Sequence, residues 1–311
     1  MKLHDDALNR LSEAIDEPAL SNTKYKLVGP LGQGGMGNVF VAEDTTLKRN
    51  VALKVLRVHD RQGELVRRMT EEARIAAQLE HPGIIPVHDL GTLSDGRVFY
   101  VTKLVQGLRL DEFSARTESI AERLRVFLKI CDAVAYAHSK NVLHRDLKPA
   151  NVMVGEFGEV LILDWGTARH HEKETAYTAG HGTMGYMSPE QQRGDALTER
   201  ADIYSLGATL YALLTRMDPA HGITTATLRS LPKPIGAIIR KSTCQAESDR
   251  YESVVKISEE LLRFLDGEPV EAYSESPLEK VARLLSRHGF IVIILLTYMV
   301  IRLTFYLVFH R

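Results

Sequence analysis

From Tyr25 to about residue 58, apolar and polar positions alternate with the two-residue period of strands, broken once by the glycine-rich turn "LGQGGMG". The period then changes. In "RRMTEEARIAAQLE" (67–80), Met69, Ala73, Ala76 and Leu79 recur every three or four residues, which predicts an amphipathic helix. "HPGIIPVHDLGTLSDGRVFYVTKLV" returns to short strands with a turn at "SDGR". From about residue 110 the chain is mainly helical. "RLRVFLKICDAVAYAHS" and "ADIYSLGATLYALLT" are too apolar for surface helices and are expected in the core. A small strand-rich part therefore meets a larger helical part near residue 105, an α+β chain in two lobes.

Ahead of the lobes, residues 1–23 read as a short acidic helical arm, with Leu8, Leu11 and Ile15 on one face and Pro18 at its end. Behind them, "DGEPVEAYSESP" (266–277) is polar with two prolines and reads as a linker. "LEKVARLLSRHG" follows; it is basic and amphipathic, suited to lying on lipid headgroups. The run from Phe290 to Phe309 then holds a single charge, Arg302. At ~1.5 Å per residue such a helix is about long enough for a bilayer core. A buried helix of a soluble fold is the alternative. Arg302 lies past the middle of the run and can reach the far headgroups. Arg263, Lys280, Arg283 and Arg287 precede the run, and only His310 and Arg311 follow it. That excess of positive charge on the N-terminal side predicts a single-pass anchor with the large domain in the cytoplasm.

Composition narrows the partners. The 311 residues are 44% hydrophobic and carry a formal net charge of -1, so no broad polycationic surface is implied and nucleic acid is not expected. Cys131 and Cys244 are far apart, in no metal-ligand spacing, as suits a reducing compartment. The charged start "MKLHDDALNR" is not a signal peptide. No repeat or low-complexity segment is evident.

Candidate chemistry sits at four places. "LGQGGMGNVFVAED" contains Gly32, Gly34 and Gly37 as G-x-G-x-x-G, but a strand follows it where a dinucleotide-binding fold would have a helix. Strand, glycine turn and strand instead predict a hairpin flap with backbone N–H groups over phosphates. "NVALKVL" puts Lys54 inside an apolar strand, where an ammonium needs an anionic partner, and Glu72 on the following helix is within reach. "NVLHRDLKPANVMV" gathers His144, Arg145, Asp146, Lys148 and Asn151 between apolar residues, an arrangement that is costly unless the polar groups are used or mutually satisfied. Asp146 can orient a hydroxyl and accept its proton, Lys148 can neutralise a phosphoryl group, and Asn151 can ligate a metal through its amide oxygen. Asp164, at the end of the apolar run in "VLILDWGTAR", offers a carboxylate suited to Mg2+.

Taken in order, glycine loop, "VALK", helix Glu, "HRDLKPAN", D-x-G, "SPE" and "DIYSLG", the chain resembles the eukaryotic-type serine/threonine protein kinases, from about Tyr25 to Gly267. The resemblance implies a bilobal protein-kinase fold over 24–267, with lobes at 24–104 and 105–267, a juxtamembrane segment at 268–288 and a transmembrane helix at 289–309. It implies that Lys54 binds the α/β-phosphates and pairs with Glu72, that Asp146 is the catalytic base assisted by Lys148, and that Asn151 and Asp164 hold Mg2+, with Mn2+ as an alternative. Leu31, Gly32, Gln33, Gly34, Gly35 and Gly37 would cover the nucleotide. Val39 and Ala52 would lie on its base, Thr102 in the gatekeeper place, and Lys103 to Val105 in the hinge. Thr183 would contact Asp146, Glu190 would pair with Arg250, and Asp202 would brace the catalytic loop. Thr178 is a candidate phosphorylation site whose phosphate Arg145 would meet.

Two features depart from the family's pattern. Trp165 stands where Phe is usual, adding volume and an N–H that needs a partner. Only fifteen residues separate "ALLTR" from "PKPIGAIIRKS", where a longer stretch that helps dock substrates is usual. The function implied is transfer of the ATP γ-phosphoryl group to Ser/Thr hydroxyls of proteins, with autophosphorylation. The alternative is a nucleotide-binding pseudokinase or scaffold at the membrane. The partners implied are ATP, protein substrates and the membrane, with a second copy of the chain as a further option.

Overall fold

The computed structural model describes residues 17–33, 37–57, 63–165, 168–170, 182–281, 283, 297–302 and 304–306. Five antiparallel strands build the N-terminal lobe: β1 (Tyr25–Gln33), β2 (Gly37–Asp44), β3 (Arg49–Leu56), β4 (Val87–Thr92) and β5 (Val98–Lys103), in the order β1-β2-β3-β5-β4. Their two-residue period sorts the side chains onto two faces. Phe40, Ala42, Val51, Leu53, Val55, Phe99 and Val101 form an outer core closed by Leu20 and Tyr25. The other face presents Val39, Ala52, Lys54, Tyr100 and Thr102, and the register sets Val39 and Tyr100 on either side of Lys54. Gly37 is required where β2 begins, because a Cβ there would collide with the Val55 carbonyl.

Helix α1 (Glu64–Gln78) covers this inner face, with Met69 and Ala73 packed on Leu56, Val98 and Tyr100. It starts earlier than its apolar stripe, since Gly63 supplies the left-handed conformation (φ 71°) that turns the chain into it. Leu79 leaves the helix and remains buried at 4% exposure. Residues 1–16 of the expected arm lie outside the described residues. The part that is described ties down on the sheet, where the buried Arg97 donates from Nη2 to the Glu17 carbonyl at 2.9 Å.

The second lobe is helical, as its pattern predicts. Its main helices are α3 (Ile120–Ser139), α5 (Glu199–Thr215), α7 (Lys233–Ser242) and α8 (Val254–Leu265), with the short α2 (Leu110–Arg116), α4 (Pro189–Arg193) and α6 (Thr225–Leu228) between them. Phe127, Ile130, Leu206, Leu210 and Ile238 lie in one continuous core. Helix α5 is buried on nearly every side, which is why its sequence lacks a polar face. The strands β6 (Gly107–Arg109), β7 (Val142–Leu143), β8 (Val152–Gly155), β9 (Val160–Ile162) and β10 (Arg169–His170) form small ladders beneath the sheet lobe, and these present the polar cluster. The shortened stretch after α5 folds as a single 3₁₀ turn (Pro219–His221) followed by α6.

The stretch expected as a linker at 266–277 is instead held against the helical lobe. Val270 is 4% exposed within the core, and the buried Glu260 carboxylate accepts from the Glu271 and Ala272 N–H groups at 3.2 and 3.4 Å. Further on, Glu279 meets Lys233 at 2.7 Å and Tyr273 Oη at 2.9 Å. Backbone hydrogen bonds and one apolar anchor fix the segment despite its polar composition. Among the described residues no helix is long and apolar enough to cross a membrane. Most of 289–309 lies outside them, and 297–302 and 304–306 are helical.

Candidate active site

Strand β3 delivers Lys54 to the cleft side of the sheet, and α1 brings Glu72 to it. Lys54 Nζ donates to Glu72 Oε1 at 2.7 Å and stands 3.7 Å from Asp164 Oδ1. Burial alone would lower the lysine's pKa. The Glu72 and Asp164 carboxylates outweigh it, so the ammonium is held well above its usual range. Burial pushes the Glu72 carboxyl the other way, toward its neutral acid, and Lys54 opposes that. With two donors on Oε1 we take Glu72 as the ionised partner of a charged lysine.

Tyr100 is the second donor, and the sequence reading missed it. Its hydroxyl donates to Glu72 Oε1 at 2.6 Å. "VFYVTK" reads simply as a buried strand; the signal lay in the alternation that puts Tyr100 on the same face as Thr102.

The polar cluster of residues 144–151 hangs between β7 and β8. Asp146 is surrounded by donors: Thr183 Oγ1 reaches Oδ1 at 2.9 Å, Lys148 Nζ reaches Oδ2 at 2.7 Å, and Asn151 Nδ2 reaches the backbone carbonyl at 2.8 Å. Lys148 also donates to Thr183 Oγ1 at 2.5 Å. One acid, one cation and one hydroxyl thus form a closed triangle at the mouth of a groove lined by Leu110, Tyr186 and Met217. Because Asn151 spends its amide nitrogen on Asp146, its amide oxygen is the end left for a cation. The Asp164 side chain is 47% exposed toward the cleft. One carboxylate and one amide oxygen fit a hard cation such as Mg2+, which fills its remaining positions with phosphates and water.

Asp202, at the start of α5, holds the loop from below. Oδ2 accepts from the His144 N–H at 2.8 Å and Oδ1 from the Arg145 N–H at 2.8 Å. His138 Nε2 adds a third bond, to Oδ2 at 2.8 Å. Burial would raise the Asp202 pKa; His138 and the loop N–H groups hold it below the ordinary carboxylate range instead. Arg145 takes a left-handed backbone (φ 71°) over this brace, and Gln191 Nε2 donates to its carbonyl at 2.7 Å. Strain at a non-glycine residue persists only where surroundings over-determine it, and bonds on both sides of Arg145 do so here.

Trp165 is fully buried and sits in one cluster with Ile75 of α1, Leu79 just after it, and Leu124 and Leu147 of the helical lobe, so it packs between the lobes as expected. Its ring lies 4.7 Å from that of His144, centroid to centroid. The indole N–H, which needs a partner, has none among the described residues. Glu190 and Arg250, both buried, form a two-pronged ion pair at 2.6 and 2.8 Å that ties α4 to the turn before α8.

Of the residues expected around the base, Ala52 and Thr102 are buried, Val39 and Val105 are half-buried, and Lys103 is exposed. The Lys103 N–H is taken by the Pro86 carbonyl at 3.3 Å, and residues 104–106 run without sheet pairing. Leu31, Gly32 and Gln33 are exposed at the end of β1. Gly34, Gly35 and Thr178 lie outside the described residues.

An antiparallel five-stranded lobe with one helix, above a helical lobe with polar loops at the junction, is the architecture of a protein kinase. The protein kinase domain family matches residues 25–268, and the chain belongs to it. It is 33% identical over 295 residues to the serine/threonine-protein kinase PknD of Protochlamydia amoebophila, covering 78% of this chain and 30% of that protein. It is 32% identical over 267 residues to the serine/threonine-protein kinase PrkC of Bacillus subtilis, covering 79% and 41%. The crystal structure of the Mycobacterium tuberculosis PknI kinase domain superposes with a TM-score of 0.62 at 26% identity, covering 78% of this chain and 96% of that one. The matched part therefore spans about a third of the length of these curated relatives.

Proposed function

We propose that this chain is a serine/threonine protein kinase that moves the γ-phosphoryl group of ATP onto protein hydroxyls. The observation that carries the reading is the Asp146–Lys148–Thr183 triangle set beside Asn151 and Asp164. In the proposed reaction the acceptor oxygen bonds to the γ-phosphorus as the bond to the ADP oxygen breaks. Asp146 orients the acceptor O–H and takes its proton, while Lys148 offsets charge on the transferred group. Lys54, fixed by Glu72, meets the α/β-phosphates. Asn151 and Asp164 would hold Mg2+, which supplies charge neutralisation across the phosphates. Little covalent work falls to the protein; positioning and electrostatics dominate. Leu31, Gly32, Gln33, Gly34, Gly35, Gly37, Val39 and Ala52 would enclose the nucleotide, and Thr102, Lys103 and Val105 would border the base.

We further propose that the chain is membrane-anchored through 289–309, with the kinase domain cytoplasmic. The support is the apolar run with one charge and the basic residues ahead of it. Autophosphorylation at Thr178, answered by Arg145, is the proposed regulatory step. It rests on the position of Thr178 upstream of "GT".

Incubation of the full chain with Mg2+ and ATP, followed by mass-spectrometric mapping, tests the reading. Phosphate on Ser or Thr, with Thr178 among the sites, is expected. Saturable ATP binding without transfer would instead indicate a pseudokinase. A phosphate map and activity unchanged by Thr178→Ala would remove the regulatory step alone.

A further inference from the structure

We propose that Tyr100 is a positioning residue for phosphoryl transfer, a second latch that holds Glu72, and with it helix α1, independently of Lys54. The inference rests on the kinase reading above.

The register of β3 and β5 places Lys54 and Tyr100 directly opposite each other. Residues so paired project from the same face with their Cβ atoms about 5 Å apart. Both side chains end on one atom: Lys54 Nζ lies 2.7 Å and Tyr100 Oη 2.6 Å from Glu72 Oε1. The other oxygen, Oε2, is buried with no hydrogen-bond partner among the described residues. Glu72 is 1% and Tyr100 6% exposed, so water does not substitute for either donor. The lysine also lies 5.4 Å from the Tyr100 ring centroid, which confines it from the side.

The two donors differ in what else they serve. Lys54 faces the cleft, stands near Asp164, and in the kinase reading is shared with phosphates. Each phosphate oxygen that approaches it draws the ammonium from Glu72. A buried carboxylate that loses its only donor is strongly destabilised, and α1 would then be pushed away just when the nucleotide arrives. Tyr100 prevents this. Burial raises its pKa well above the usual phenol range, so it remains a neutral donor at any working pH. It stands on a central strand, where no ligand competes for its hydroxyl. The helix can therefore stay docked while the lysine is shared.

Tyr100→Phe keeps the ring and removes the bond. In the full chain, initial rates of phosphate incorporation into a Ser/Thr-bearing acceptor protein give kcat and KM for ATP. The expected result is a fall of roughly tenfold in kcat/KM, mostly in kcat, as for loss of a hydrogen bond to a charged group. In a Glu72→Ala background, which leaves no side-chain acceptor for the phenol, the same change should alter the rate by less than about twofold, because the residue acts through Glu72. An equal fall in both backgrounds, or no fall in either, overturns the proposal. Hydrogen exchange at 69–78 supplies a readout that does not need turnover. Adding a non-hydrolysable ATP analogue with Mg2+ should loosen α1 in Tyr100→Phe and leave it protected in the wild type. Identical protection in the two proteins also overturns the proposal. If the wild type transfers no phosphate, the kinase reading fails, and exchange without nucleotide still decides the latch: faster exchange at 69–78 in Tyr100→Phe supports it, and equal exchange rejects it.

Discussion

Replacing His138 by Gln tests whether a buried charge pair holds the loop that carries Asp146. The ring is 5% exposed, with Nε2 2.8 Å from Asp202 Oδ2 and Nδ1 3.6 Å from Glu199 Oε2. The second distance is too long for a hydrogen bond and acts through charge alone. Burial by itself would lower the His138 pKa. Asp202 and Glu199 outweigh it and push it from 6.5 up to about 9. At about 1.4 kcal/mol per unit, this shift corresponds to roughly 3 kcal/mol of folding stability. Gln keeps an N–H for Asp202, so the expected loss is nearer ~2 kcal/mol. The folded pKa lies above the unfolded one. The contribution is therefore complete below about pH 6.5 and is lost as pH rises through about 9. Asp202 has the opposite sign: its lowered pKa adds stability that disappears only in acid. Urea unfolding at pH 6 and pH 9.5 measures the difference, with Trp165, the chain's single tryptophan, as the fluorescent reporter. Wild type should exceed His138→Gln by about 2 kcal/mol at the lower pH and by under ~0.5 kcal/mol at the higher. An equal gap at both would mean that the ring is neutral and that the loop is braced by Asp202 without a charge partner.

Three other changes probe separate parts of the account. Glu190→Ala leaves the Arg250 guanidinium buried without its carboxylate and should cost about 3–5 kcal/mol in denaturant unfolding, whereas the double replacement Glu190→Leu with Arg250→Met should cost less. Trp165→Phe removes a buried, unpartnered N–H at the expense of a small void; the two effects oppose, so stability should move by under ~1 kcal/mol, while Trp165→Ala should lose about 3–5 kcal/mol, both read by far-UV circular dichroism in denaturant because these variants lack the tryptophan reporter. Val270→Asp should destabilise the chain by about 3 kcal/mol if the 266–277 stretch is held as described, and by under ~0.5 kcal/mol if that stretch is a free linker.

What the sequence made legible was whatever short-range pattern encodes. Alternation marked the sheet, the three-to-four spacing marked α1, and the ordered motifs singled out Lys54, Glu72, Asp146, Lys148, Asn151 and Asp164. The structure joins Lys54 to Glu72, and Asp146 to both Lys148 and Asn151, by direct hydrogen bonds, and sets Asp164 3.7 Å from Lys54. The Thr183–Asp146, Glu190–Arg250 and Asp202–loop contacts were likewise expected and are present. What escaped depends on register and distance. The Tyr100 hydroxyl finds Glu72 only because β5 pairs with β3 at one particular offset. His138 ends an apolar helix and meets a carboxylate 64 positions away. The 266–277 stretch looks like a linker by composition, and no composition reveals that the Glu260 carboxylate accepts two of its backbone N–H groups.

The most direct test of the central claim is single-turnover transfer of labelled phosphate from ATP by the full chain with Mg2+, run beside Asp146→Asn and Asp164→Ala. The account predicts label on Ser or Thr for the wild type and a loss of at least about a hundredfold in each variant, since one removes the proton acceptor and the other a metal-facing carboxylate. Transfer that survives both substitutions would contradict it and would place the chemistry elsewhere in the molecule.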